Sequence, residues 1–243
     1  IRTKHSTQFL SLTNTSFPFK SFPIMVANVL ACLFIFAAIS SSVAYDPDPL
    51  QDICVADLKS KIKVNGFVCK DDADVTAADF TFDGLAKPAL INNSFGSVVT
   101  PANVMQVPGL NTLGVSLARI DYAPGGLNAP HTHPRATETI FTLVGELEVG
   151  FITTANKLIS KTIKEGEIFV FPRGLVHFQK NNGHKLASVI SGFNGQLPGT
   201  QVIATSLFAA SPPVPDDVLE IAFQVDAKVV DTIKANLAPK KKW

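Results

Sequence analysis

The stretch "PHTHPRATETIFTLVGELEVGFI", residues 130–152, decides how this chain is read. Its second half runs from Thr139 to Val144, breaks at Gly145-Glu146, and resumes from Leu147 to Ile152. Two apolar runs around a Gly-X pair predict a β-hairpin closed by a two-residue turn. Its first half sets His131 and His133 two residues apart, with Glu138 five positions after the second. On an extended strand both imidazoles leave the same face, their Cα atoms about 6.6 Å apart. They can converge on one point, and a carboxylate at the start of the next strand can close on it.

The same texture continues on both sides. Val115 to Tyr122 runs into the breaker Pro124-Gly125-Gly126. Leu158 to Ile163, Ile168 to Phe171, Val176 to Gln179 and Ala187 to Phe193 are further short runs, separated by Glu165-Gly166, Pro172-Arg173-Gly174 and Asn181-Asn182-Gly183. This spacing predicts an all-β sandwich or barrel over 114–210. Residues 45–113 carry no long period and read as an extended arm that covers something. After Ser211-Pro212-Pro213 the period becomes helical across 211–243. Asp216 is placed to cap a helix carrying Val218, Leu219, Ala222 and Phe223. A second helix from Asp226 puts Val229, Val230, Ile233 and Leu237 on one stripe. Such a stripe needs a partner, either its own barrel or another subunit. Lys240-Lys241-Lys242 reads as a solvated end.

The first methionine is Met25, and residues 1–24 read as upstream translation outside the fold. Val26 to Ile39 is a nearly continuous apolar run of 14 residues, and Ser42 and Ala44 suit cleavage after Ala44. A signal peptide over 25–44 is therefore expected, with a buried core helix as the alternative. The run falls short of the roughly 20 residues that span a bilayer. Losing Arg2, Lys4 and Lys20 takes the net charge from +1 to −2, which gives no electrostatic case for nucleic acid or an anionic membrane. The remaining 199 residues suit one domain. Cys32 leaves with the leader, and Cys54 and Cys69 remain. An even pair in an exported chain reads as a disulfide. Closing a loop of about 15 residues stabilises by roughly 3 kcal/mol in the chain-entropy account; two separate buried thiols are the alternative. Asn92-Asn93-Ser94 is a sequon, with Asn92 as the acceptor.

Beyond Ala44 the chain has four histidines: His131, His133, His177 and His184. His177 follows the Pro172-Arg173-Gly174 turn, on a strand that can run beside the first pair. His184 sits in "NNGHK" and reads as solvated. His131, His133, Glu138 and His177 thus form a candidate metal site; surface histidines in a Pro-rich loop are the bland alternative. Three neutral imidazoles and a carboxylate leave net +1 on a divalent ion and two positions open in an octahedron. A tetrahedral Zn with the same ligands would be closed. The residue types suit Mn, Fe, Cu and Zn alike.

These residues carry a family resemblance. Gly125-x5-His131-x-His133-x4-Glu138-x6-Gly145 resembles the first cupin motif, and Gly166-x5-Pro172-x-Gly174-x2-His177-x3-Asn181 the second. "DPDPLQDICVADL", residues 46–58, together with Cys54 and Cys69, resembles the germin and germin-like proteins of plants. The resemblance covers Tyr45 to Leu237. It implies a single cupin β-jelly-roll barrel with C-terminal α-helices. It also implies a homohexamer, a trimer of dimers in which those helices clasp neighbouring subunits. One Mn2+ on His131, His133, Glu138 and His177 is implied, with secretion to the apoplast or cell wall and a role in plant defence.

Two activities follow from the resemblance, on a small carboxylate or on small oxygen species. Germins oxidise oxalate with O₂ to CO₂ and H₂O₂, and many germin-like proteins dismutate superoxide. The oxalate oxidases hold two asparagines near the metal. Asn128 matches one of them, but "GVSLARID" has Ala118 at the other. Losing a hydrogen bond to a charged group costs about 1.5–3 kcal/mol. Superoxide dismutase therefore ranks above oxalate oxidase. A non-catalytic receptor with a cell-wall partner, or a storage protein, is the remaining class.

Overall fold

A computed structural model describes residues 50–62 and 64–238. The expected upstream segment 1–24, the signal peptide 25–44 and the lysine tail lie outside the described residues. Among the described residues, ten strands form two five-stranded antiparallel sheets. They are β1 (Ser97–Ala102), β2 (Ser116–Tyr122), β3 (Leu127–Thr132), β4 (Glu138–Val144), β5 (Glu146–Ile152), β6 (Leu158–Lys164), β7 (Ile168–Phe171), β8 (His177–Lys180), β9 (Ala187–Phe193) and β10 (Gln201–Val202). The first sheet has the order β1-β2-β9-β4-β7 and the second β10-β3-β8-β5-β6. Alternate residues of both sheets face one core: Ile120, Tyr122, Ile140, Phe171 and Val189 from the first, Leu147, Val149 and Ile163 from the second. This is the jelly roll that the family resemblance implied, and it fits the all-β sandwich or barrel expected from the short, regularly spaced runs.

The expected hairpin does not form. β4 pairs with β7 and β9, whereas β5 pairs with β6 and β8 in the other sheet. Gly145 is a corner at which the chain changes sheets. A two-residue hairpin would set Thr142 opposite Val149, and both are buried in the actual fold too. Alternation is therefore the same for either arrangement. What differs is the supply of partners: apart from each other, β4 and β5 each gain two neighbours. The corner needs φ of +80° at Gly145, and a Cβ there would lie 3.0 Å from Ala187 Cβ.

The arm is less irregular than expected. Ser97–Ala102 within it is β1, paired along its length with β2. Pro101 hid this strand, yet proline is tolerated at a sheet edge, where one side needs no ladder bonds. The arm does cover the barrel. Leu85 O accepts from Arg119 Nη1 at 3.2 Å, and Ala89 N donates to Asp121 Oδ2 at 2.9 Å. Cys54 and Cys69 are joined by a disulfide.

Beyond the barrel stand α1 (Ile203–Phe208), α2 (Asp216–Phe223) and α3 (Ala227–Leu237). Asp216 is not a cap: Pro215 holds that position, and the Asp216 carboxylate instead accepts from Lys234 Nζ. Asp226 does cap α3, accepting from Val229 N at 3.0 Å. Rather than lying on the barrel, the stripe closes within this extension, around Phe208, Leu219 and Val230. Val218, Ile221, Phe223 and Val229 stay exposed. No helix among the described residues is long and apolar enough to cross a membrane.

Gly145→Ala should lower stability by about 1–3 kcal/mol, since a side chain resists the left-handed region and crowds Ala187. Urea unfolding checks this; an unchanged midpoint would show that the corner imposes no constraint.

Candidate metal centre

His131 ends the interior run of β3 and pairs directly with His177, the first residue of β8. His133 lies one residue past β3, and Glu138 opens β4 in the facing sheet. The site thus bridges the two sheets, with imidazoles from one and a carboxylate from the other. One ligand atom from each residue lies within 4.8 Å of all the others, and all four residues are buried. His133 Nε2 is 3.1 Å from Glu138 Oε2, and His177 Nε2 is 3.0 Å from the same oxygen.

Hydrogen bonds on the far side of each ring assign the protons. His131 Nδ1 donates to Ala129 O and His177 Nδ1 to Leu175 O, both at 2.8 Å. His133 Nδ1 donates to Gly199 O. A carbonyl only accepts, so each Nδ1 carries the hydrogen and each Nε2 of a neutral ring presents a lone pair. Three lone pairs then face a carboxylate in a buried space. A divalent cation satisfies all four at once, and these residues fit one. The alternative is a second proton on an imidazole, which burial opposes. Burial and the neighbouring His177 hold His131 down at about 4, below its usual 6.5. Burial alone would raise the Glu138 pKa. The rings of His133 and His177 stand within 3.1 Å of its carboxylate, and a protonated imidazole there would donate to it; this outweighs burial and holds the carboxyl well below the usual range.

Glu138 is fixed from behind as well. Ser191 Oγ on β9 donates to Glu138 Oε1 at 2.7 Å, leaving Oε2 for the centre. Phe171 stacks on His177 at a centroid distance of 4.4 Å, and Phe193 meets His133 edge-on at 4.9 Å. A cavity of about 380 Å³ opens onto the ligands and is walled by Ala118, Asn128, Phe193 and Leu197 among others. Sequence reasoning brought together all four ligands and placed Asn128 and Ala118 beside them. It missed Ser191, Phe193 and Gly199, which stand more than 50 residues from Glu138 or His133 with no motif to mark them. Asn92 is exposed, and His184 is exposed and outside the site.

A jelly roll that brings three imidazoles and a carboxylate together inside the roll has the architecture of a mononuclear metallo-cupin. Residues 83–231 match the cupin family. The chain is 65% identical over 212 residues to germin-like protein subfamily 2 member 4 of Arabidopsis thaliana, covering 86% of this chain and 96% of that one. It is 66% identical over 194 residues to the rhicadhesin receptor of Pisum sativum, covering 80% and 89%. Among solved structures, a recombinant oxalate oxidase in complex with glycolate superposes with a TM-score of 0.77 at 45% identity, covering 79% of this chain and 98% of that one. The chain belongs to the germin-like proteins of the cupin family.

Two predictions follow from the proton assignments. In the metal-free protein the unfolded chain binds a proton on His131 near pH 6.5, but the folded chain binds it only near pH 4. Stability should therefore fall as pH drops through that window, by up to about 3 kcal/mol. Glu138 adds to the loss below its ordinary 4.5, because its folded pKa lies lower. Thermal melts from pH 7 to 4 check this, and His131→Asn should flatten the upper part of the curve. Ser191→Ala should weaken metal binding roughly tenfold by freeing Glu138 to turn, with the fold intact, as read by equilibrium dialysis.

Proposed function

We propose that this chain is a secreted, manganese-binding germin-like protein of the plant apoplast whose His3Glu centre dismutates superoxide. The observation that carries the reading is the set of buried lone pairs facing Glu138 beside a small cavity whose wall at position 118 is a methyl group. Bound manganese supplies one-electron exchange between its divalent and trivalent states. Three neutral imidazoles and one carboxylate leave such a site with net positive charge, which favours entry of a small anion. Two superoxide ions and two protons give O₂ and H₂O₂, so the reaction needs no other reductant. The phenylalanine and alanine walls limit water at the ligands, and the Asn128 amide is placed to meet the anion.

The rest of the reading concerns setting. Export follows from the leader expected over 25–44, and the exposed Asn92 is open to a glycan. Exposed Val218, Ile221 and Phe223 on α2 support assembly into a homohexamer. Peroxide released in the wall suits a defence role.

A second reading, oxalate oxidase, is favoured by the 45% identity to solved oxalate oxidases and by Asn128 in the cavity. Ala118 weighs against it, because a carboxylate bound there would lack one donor. A third, a wall receptor with a structural metal, is favoured by the 66% identity to the rhicadhesin receptor.

Manganese-loaded protein should dismutate superoxide, lose the activity on chelation and regain it on reloading. His177→Ala should abolish it. Activity that survived chelation would exclude the centre as its seat. Oxalate-dependent H₂O₂ release would put the second reading first. Full manganese occupancy with neither activity would leave the receptor.

A further inference from the structure

Two residues along the strand from His177 begins a polar cluster that the metal site does not use. Tyr122, the last residue of β2, is fully buried in the main core. Its hydroxyl donates to Gln179 Oε1 across 3.5 Å, and Gln179 is the cross-strand partner of Asn128. Gln179 is fully buried as well, and its Nε2 has no hydrogen-bond acceptor. A phenol and a primary amide cost more to bury than a phenyl ring and an alkyl chain unless good hydrogen bonds compensate. Here one bond is long and one donor has none. Packing alone would be served better by Phe and Leu.

Strand pairing explains how this cluster reaches the site. His131 lies opposite His177, and Asn128 lies opposite Gln179. The two partners are two residues apart on β8 but three apart on β3, and the register shifts between them. In a regular strand, residues three apart face opposite sides. The extra residue of a bulge re-aims one of them, so Asn128 and His131 both face inward and both line the metal cavity. Asn128 therefore stands between the cavity on one side and Tyr122 on the other. An amide there can offer an anion either its N–H or its carbonyl. A phenol oxygen whose proton goes to Gln179 is left to accept, and Gln179 is the cross-strand partner of Asn128; accepting from Asn128 would fix which way the amide faces.

We infer that Tyr122 is a positioning residue: held by Gln179, it orients the Asn128 amide that meets a small anion entering the metal cavity. This rests on the reading that the cavity admits an anion, though not on superoxide being that anion.

The test uses full-length, manganese-loaded protein with azide as the probe, followed by the manganese EPR spectrum. Tyr122→Phe should keep the metal content and melting temperature but weaken azide roughly tenfold, the size of one hydrogen bond. Asn128→Ala should weaken it similarly, and the double variant should be no weaker than Asn128→Ala alone. Gln179→Met keeps the phenol, removes its acceptor and carries the same expectation, should Tyr122→Phe fold poorly. Azide affinity indifferent to Tyr122 and Gln179, losses that multiply in the double variant, or no azide response in the wild type would each overturn the inference. Superoxide dismutation measured alongside separates the two readings. Coupled azide binding without dismutation removes only the proposed activity, and dismutation with uncoupled azide binding removes only the role of Tyr122.

Discussion

A carboxylate buried among three imidazoles, each with its hydrogen already committed to a backbone carbonyl, is the constraint on which this structure turns. Glu138 cannot be neutralised by its neighbours without protons that burial opposes, so the interior calls for a cation. The requirement reaches into the fold. His131 and His177 share one rung of the second sheet, while Glu138 starts a strand of the first. An ion shared by these four residues would therefore hold the two sheets to one separation there. At the other, apolar side chains such as Ile140, Leu147 and Ile163 do so without any charge. The roll is thus closed by two kinds of force, one directional and one not.

The ligands were legible because chemistry limits them to few residue types and strand geometry limits their spacing. His131 and His133 could be paired from their separation alone, and His177 from the turn before it. An all-β sandwich or barrel was legible from the recurrence of short runs, and the jelly roll from the resemblance of the two motifs to those of cupins. Pairing was not. Thr142 and Val149 are buried whether β4 and β5 form a hairpin or belong to different sheets, so alternation carried no information about which neighbour each strand took. β1 escaped notice because Pro101 argues against a strand unless its edge position is already known. Ser191 and Gly199 escaped because they act through contacts with residues far away in the chain. Serine and glycine are also too common to mark such contacts. What the sequence hid was mostly long-range, and it concerned the residues that support the ligands rather than the ligands themselves.

The ligand set alone does not choose a reaction. Three neutral imidazoles and a carboxylate give the same charge and the same open positions whatever anion arrives. Choice then falls to the walls of the cavity, where Ala118 offers a methyl group and Asn128 an amide. A dianion with two carboxylates gains from donors on both sides, whereas a diatomic anion needs only one. The removal of a donor at 118 therefore costs the larger anion more than the smaller. Beside that wall, the bulge in β3 sets Asn128 opposite Gln179, and the proposed contact with the buried phenol of Tyr122 would limit how the amide can turn. On the proposed reading, selectivity in this barrel would be a property of β2 and β3 acting together, one strand supplying Ala118 and Tyr122 and the other Asn128 and His131. A change at Ala118, Tyr122 or Asn128 would alter the surroundings of such an anion while leaving the four candidate ligands in place.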